Sequence, residues 1–327
     1  MIILSIIIPA YNAEKYIVDS ILSILNSHKK NIEIIVVNDG SSDNTVDIVN
    51  SLKQCDSKIT LINQENNGPG LARNAGLNAA IGNYIMFLDA DDRVYTDEFI
   101  RLFDYIEVQE IDVICFGYKM IGSSNEVLGT HCYNFKKYGS PLKDYIKNCD
   151  FKDVVWNKIY KNKFLKSNKI VFESFKVKED SFFLFKVFSR ASSVCTINLV
   201  VYEHRSNNPN SLSNKFNFVM LNSAIDSLVY QYQASTELNL NFVLKLIFIK
   251  NIFYQFWYSI FFTICKCDNF SKIDLDDIKS YLIKSNSLLF FVPLKYISLL
   301  FIIIIFNNKF TLKNIKLSLC KLNLFKH

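Results

Sequence analysis

A chain of 327 residues exceeds the roughly 100–200 residues of a common single domain, so one domain plus an appendage is expected. Half of the residues are hydrophobic, with 28 Phe and 17 Tyr against 9 Gly and 5 Pro, which excludes a disordered chain and a fibrous repeat. The net charge of +6 is a tail property: residues 278–327 hold eight Lys and no acid, and those lysines are interleaved with Leu, Ile and Phe, which points to an anionic membrane surface and not to nucleic acid.

Eight cysteines, at 55, 115, 132, 149, 195, 265, 267 and 320, form no Cys-x-x-Cys pair and have no His at zinc-finger spacing. Reduced thiols in a cytosol are expected. The N-terminal run Met-Ile-Ile-Leu-Ser-Ile-Ile-Ile-Pro has no basic leader and stops at Pro9, so it reads as a buried strand and not a signal peptide. The catalytic portion should then face the cytoplasm.

In chain order, apolar runs at Leu4 to Ala10, Ile32 to Val37, Ile59 to Ile62 and Tyr84 to Leu88 alternate with helical patterns near Glu14 to Ser27, Asp43 to Lys53 and Leu71 to Ala80. Near-continuous Ile and Val runs suit parallel strands covered on both faces. The expectation is an α/β fold with a doubly wound sheet and ligands at the carboxyl ends of its strands.

Polar residues collect at those ends: Tyr11 and Asn12 after the first strand, Asn38-Asp39-Gly40-Ser41 after the second, and Asp89, Asp91 and Asp92 after the fourth. Bunched carboxylates are costly unless a cation sits between them, and hard oxygen ligands suit Mg²⁺ or Mn²⁺ when a diphosphate supplies the remaining oxygens. An acidic turn is the plain alternative. Ser42 or Asp43 serves equally as the N-cap of the second helix. Asn66-Asn67-Gly68-Pro69-Gly70 is a turn opening a helix with Arg73 and Asn74, which is either a diphosphate site or an ordinary turn with a helical Arg.

From about residue 110 the pattern loosens, with an extended stretch at Val113 to Gly117, a helix before Cys149, the run Trp156-Asn157-Lys158-Ile159-Tyr160, and a helix starting near Glu179. A Glu-Asp pair opening a helix can simply complement its dipole. Past residue 215 the chain turns helical and apolar. Phe242 to Cys265 carries Lys245, Lys250 and Gln255, whereas Ser287 to Phe306 carries Lys295 as its one charge, with Pro293 beside it. A span needs about 20 apolar residues. Monotopic or peripheral attachment is expected, with a buried helical cap and a true span as the alternatives.

The series Ile-Ile-Ile-Pro-Ala-Tyr-Asn, Val-Val-Asn-Asp-Gly-Ser-Ser-Asp, Gly-Pro-Gly-Leu-Ala-Arg-Asn-Ala-Gly and Phe-Leu-Asp-Ala-Asp-Asp resembles family 2 inverting glycosyltransferases of the bacterial surface-polysaccharide type. These motifs cover residues 4 to about 92, weaker ones continue to about 213, and the last hundred residues are not covered. The resemblance implies a glycosyltransferase A fold, Rossmann-like, and an inverting transfer from a nucleotide-sugar, usually a UDP-sugar. It divides the chain into a catalytic domain at 1–215, with a nucleotide-binding half at about 1–110 and an acceptor-binding half at about 111–215, and a membrane-associating helical region at 216–327.

By motif position the resemblance assigns Pro9, Tyr11 and Asp39 to the base, Arg73 to the donor phosphates, Asp89 to the ribose and Asp91 to the metal, with Asp92 helping either group. Glu179-Asp180-Ser181-Phe182-Phe183 resembles the Glu-Asp-x-x-Phe element, making Asp180 the catalytic base with Glu179 beside the acceptor. Trp156-Asn157-Lys158 resembles an acceptor-side element in which Trp156 stacks on a sugar; a core Trp is the other reading. Tyr202-Glu203-His204-Arg205 and Ser211-Leu212-Ser213 resemble a loop over the diphosphate, with His204 as a second metal ligand and Arg205 as a clamp. That loop departs from the pattern: His204 replaces the usual aromatic, and Asn207-Asn208-Pro209-Asn210 lengthens it.

The expected enzyme is thus a hexosyl- or N-acetylhexosaminyltransferase that uses Mn²⁺ or Mg²⁺. Its acceptor would be a glycan or polyprenyl-diphosphate lipid, at the cytoplasmic face of the cell membrane. The alternative is a membrane-associated nucleotide-sugar-binding or scaffold protein that kept the fold without turnover. A haloacid-dehalogenase-like phosphatase is disfavoured because its Asp-x-Asp normally opens the fold, and Arg93 stands where Thr or Val is wanted. A dinucleotide enzyme needs Gly-x-Gly-x-x-Gly where this chain has Pro-Ala-Tyr-Asn-Ala-Glu.

Overall fold

The computed structural model describes residues 2–147, 151–175, 177–206 and 218–238, with shorter runs between 240 and 255. The chain divides into two compact units, Met1–Ser211 and Leu212–His327.

The first unit opens with alternating elements: β1 (Leu4–Ala10), α1 (Ile17–Leu25), β2 (Ile32–Asp39), α2 (Thr45–Cys55), β3 (Ile59–Gln64), α3 (Pro69–Ala79) and β4 (Tyr84–Phe87). Strands β3, β2, β1 and β4 lie side by side in that order and all parallel. Period-two alternation along them feeds two cores. Ile6, Ile8, Ile34 and Val36 face a layer holding Ile17, Ile21 and Ile24 of α1. Ile7, Ile35 and Val37 face the other layer with Ala72 and Leu77 of α3. Helix α3 sits so close that a Cβ on Gly76 would lie 2.3 Å from Ile7 Cγ2, which forbids any larger residue there.

The remainder of the unit comprises β5 (Arg93–Val94), α4 (Thr96–Glu107), β6 (Val113–Ile121), β7 (Val127–His131), β8 (Lys136–Tyr138), α5 (Pro141–Ile146), β9 (Lys158–Lys161), α6 (Asn162–Ser167), α7 (Glu179–Arg190) and β10 (Val194–Arg205). The sheet continues from β4 through β9, β6 and β10 to β5. Here the doubly wound expectation needs correction. β9 runs antiparallel to both β4 and β6, so the sheet is mixed, and an antiparallel insertion needs no helical crossover. Helix α4, absent from the sequence reading, buries Phe99, Leu102, Phe103 and Ile106 at helical spacing.

In the second unit, α8 (Phe218–Thr236) buries Ala224, Ser227, Leu228, Gln231 and Ser235 along one stripe. Among the described residues no helix is long and apolar enough to cross a membrane. The apolar stretch at 287–306, the basic tail and the lengthened loop at 207–213 lie outside the described residues.

Candidate active site

The carboxyl ends of β1, β2 and β4 present the polar loops expected from the sequence. The first two loops are stitched together: Ser42 N donates to Asn12 Oδ1 at 2.8 Å, Ala13 N to Thr45 Oγ1 at 2.8 Å and Glu14 N to Asp43 Oδ2 at 3.1 Å. Asp43 Oδ1 also accepts from Thr45 N at 3.0 Å, so this carboxylate has a structural role at the start of α2. Pro9 is half-buried at the end of β1, in register with Val37, and Tyr11 beyond it is 54 % exposed.

Asp39 is buried at the end of β2. Its Oδ1 accepts from Gln64 Nε2 at 2.7 Å and Asn67 N at 2.9 Å, and its Oδ2 from Gly68 N at 2.8 Å. The carboxylate therefore shapes the turn that launches α3. A carboxylate has about four lone-pair sites, so three bonds leave capacity for one further donor.

Arg73, on α3, is buried to 4 % exposure and joins three acids from two parts of the chain. Its Nη2 donates to Asp89 Oδ1 at 2.9 Å, and its Nη1 lies 3.1 Å from Asp180 Oδ1 and 3.3 Å from Glu179 Oε1. Helix α3 comes within reach of these acids partly because Gly70 is bare: a Cβ there would lie 3.2 Å from Glu179 Cγ. The guanidinium expected at the donor phosphates is thus directed at carboxylates, joining the Asp-x-Asp end of β4 to the first turn of α7.

Burial would lower the pKa of Arg73, but Asp180, Asp89 and Glu179 more than offset it and hold the group charged. Burial and the charge of Asp180 push Glu179 up to about 7 against the pull of Arg73. Asp180 is also raised by burial, with Arg73 opposing, Asp89 and Asp153 adding to the rise, and the Val155 N–H lowering it. A carboxyl whose basicity is raised by its surroundings while its side chain remains 22 % exposed suits proton abstraction.

Asp92 is the inverse arrangement. This fully buried carboxylate accepts from Tyr202 Oη at 2.7 Å and Arg205 N at 2.7 Å, and its Oδ2 lies 3.0 Å from His204 Nδ1. Tyr202 Oη also accepts from Asp89 N at 3.1 Å, so β10 clamps the acidic turn from beneath. Burial pushes Asp92 up to about 6. Burial lowers His204, but its bond to Asp92 and the charges of Asp92, Asp89 and Asp91 raise it overall.

Asp91 and His204 are the side chains that would hold a divalent cation. His204, its Nδ1 turned to Asp92, has the buried-carboxylate backing that orients metal-ligating imidazoles, and half-buried Asp91 lies on the same turn as Asp92. Among the described residues no three His, Cys, Asp or Glu side chains converge to hold an ion unaided. Mg²⁺ is commonly held by one or two carboxylates together with substrate phosphates, so few protein ligands are compatible with it.

Two expected residues sit differently from the sequence reading. Trp156, expected to stack on an acceptor sugar, is only 7 % exposed. Its ring stacks on Tyr202 at 4.4 Å and His204 at 5.2 Å and meets Tyr118 edge-on at 4.8 Å, so it occupies the core reading and buttresses the clamp. Arg205 donates to Asp19 Oδ2 at 2.9 Å and lies 5.5 Å over the Tyr16 ring, against α1. The sequence reading gave no role to Tyr202, whose alternation with His204 along a strand places both on one face, and passed over Asp153, for which no sequence signal exists.

The model of the family described as glycosyl transferase family 2 matches residues 5–171. The uncharacterized glycosyltransferase EpsJ of Bacillus subtilis is 33 % identical over 239 residues, covering 71 % of this chain and 68 % of that protein. Glycosyltransferase GlyA of Streptococcus pneumoniae serotype 4 is 32 % identical over 213 residues; the match spans 62 % of this chain but only 30 % of GlyA. Among solved structures, that of S. aureus TarS 1–349 in complex with UDP-GlcNAc superposes with a TM-score of 0.68 over 89 % of this chain and 82 % of that one, at 21 % identity. The fold it shares is that of the mixed sheet described above, and the matched sequence carries the Asp-x-Asp turn, Arg73 and the loops around them: the chain belongs to glycosyl transferase family 2.

Proposed function

We propose that this chain transfers a hexosyl or N-acetylhexosaminyl group from a UDP-sugar to a glycan or polyprenyl-diphosphate-linked acceptor, with inversion, in the synthesis of a cell-surface polysaccharide. The observation that carries the reading is the Arg73 cluster, which joins the Asp-x-Asp turn to the Glu179-Asp180 pair through one guanidinium. A UDP-sugar is favoured because the TarS structure of the same fold was solved with UDP-GlcNAc.

In this reading Pro9, Tyr11 and Asp39 hold the base and Asp89 the ribose. Asp91 and His204 would hold Mn²⁺ or Mg²⁺, which when bound acts as a Lewis acid toward charge on the departing diphosphate. Asp180 takes the proton of the acceptor hydroxyl as its oxygen attacks the anomeric carbon from the side opposite the diphosphate, and Glu179 orients the acceptor. Arg73 holds these acids in register until substrate arrives. Trp156 supports the site from behind through His204, and Arg205 reaches the diphosphate on leaving Asp19. The eight lysines of residues 278–327, interleaved with apolar residues, favour peripheral or monotopic attachment at the cytoplasmic membrane face.

Calorimetric titration of UDP, GDP and CMP with and without Mn²⁺, on the wild type and Asp91→Ala, tests the donor assignment. Manganese-enhanced UDP binding that disappears in the variant is expected. Folded protein that binds no nucleotide would overturn the reading and favour a scaffold.

A further inference from the structure

Lys158 is fully buried, although it belongs to the residue class that is almost never buried unless paired. Among the described residues no carboxylate lies in hydrogen-bonding contact with it. Its Nζ donates to Lys152 O at 2.7 Å, Val154 O at 2.6 Å and Asn157 Oδ1 at 2.6 Å, which uses all three ammonium protons on one irregular segment. Burial lowers its pKa to about 8, with Cys115, Asp153 and Asp180 acting in the opposite direction. A lysine interred in this way carries a desolvation cost that an apolar side chain would avoid, so its position calls for a reason.

The segment it holds reaches the proposed base. Residues 152 and 154 are pinned on either side of Asp153, the Val155 carbonyl is taken by Tyr160 Oη at 3.0 Å, and the Val155 N–H, turned toward the Asp180 carboxylate, lowers its pKa. Asp153 in turn accepts hydrogen bonds from Ser181 Oγ, the next residue of α7, and from Tyr145 Oη at 3.0 Å. The segment therefore holds the first turn of α7 at Ser181, the residue next to Asp180.

We propose that Lys158 is a positioning residue for Asp180, acting through the 152–157 segment to fix the base and to keep it ionised. The inference rests on Asp180 being the base of the proposed transfer. Asp180 faces Arg73 from α3, Asp89 from the turn after β4, Glu179 on its own helix, Asp153 from the pinned segment, and Lys158 and Tyr160 from β9. Three acids are thus set against two cations. Removing one cation, and with it the alignment of the Val155 N–H, makes Asp180 a misplaced carboxyl that protonates at higher pH.

The test measures UDP release by the full-length protein with Mn²⁺ from UDP-GlcNAc, UDP-glucose and UDP-galactose between about pH 5 and 9, for the wild type, Asp180→Asn, Lys158→Met and Tyr160→Phe. Lys158→Met is expected to lower kcat by about 10- to 100-fold, leave the donor KM within about twofold and move the acid limb up by about half a pH unit or more. Tyr160→Phe, which frees only the Val155 carbonyl, should shift kcat and the acid limb in the same direction by less. It also decides the matter if Lys158→Met does not fold. Wild-type kcat and acid limb in a folded Lys158→Met or, failing that, in Tyr160→Phe would overturn the inference, as would a KM rising in step with falling kcat. An inactive Asp180→Asn beside unchanged Lys158 and Tyr160 variants would remove this inference alone. A wild type that hydrolyses none of the three donors would remove the proposed function as well.

Discussion

Two charged hubs lie on either side of the acidic turn after β4, and they are built in opposite senses. At Asp92 one buried carboxylate is met by Tyr202 Oη, His204 Nδ1 and the Arg205 N–H, whereas at Arg73 one buried guanidinium is met by Asp89, Glu179 and Asp180. The first hub has its charge satisfied by donors that need go nowhere, which suits a clamp that fixes geometry. The second carries a surplus of negative charge that substrate, proton or cation can redistribute, which suits chemistry. Substitutions in the two hubs should therefore fail differently.

The largest effect is expected from Asp180→Asn, which preserves shape and removes the base: donor turnover should fall by about 10²- to 10⁴-fold while UDP affinity measured by calorimetry stays near that of the wild type. Arg73→Met comes next. It strands three acids around a missing cation whose side chain is only 5 % exposed, and should cost about 3–5 kcal/mol in urea unfolding together with turnover. In the other hub, Asp92→Asn keeps the shape but removes the charge and one acceptor; a loss of about 1–3 kcal/mol is expected, with weakened Mn²⁺ dependence and a retained response of turnover to pH.

How much of this was legible in sequence differs between the hubs. Asp89, Asp91, Asp92, Glu179 and Asp180 all stood out, because acids at the end of an apolar run or the start of a helix are local patterns. Their pairing through Arg73 was not legible, since it joins residues 107 positions apart, on two helices of one core layer, and depends on Gly70 admitting Glu179. Trp156 was read two ways because a sequence cannot show which face of a ring is covered. The four parallel strands followed from Ile and Val runs, but the antiparallel β9 is only four residues long and has no period of its own. Helix α4 could have been found: Phe99, Leu102, Phe103 and Ile106 fall at helical spacing behind Thr96-Asp97-Glu98.

The smallest expected effect is on pH dependence. Glu179 is raised from its ordinary 4.5 to about 7 in the folded protein, so between those values the folded state binds more protons than the unfolded chain. Its contribution to stability is complete below about pH 4.5 and is lost as pH rises through about 7. Glu179→Gln should flatten that decline, which urea midpoints at pH 5 and pH 8 would show as a smaller difference than in the wild type.

The central claim, that the Arg73 hub sets a base opposite a departing diphosphate, is tested most directly by following hydrolysis of α-linked UDP-sugars by proton NMR before the product mutarotates. Release of the β-anomer first, abolished in Asp180→Asn, is the predicted result. Release of the α-anomer first, or turnover that survives Asp180→Asn, would contradict it.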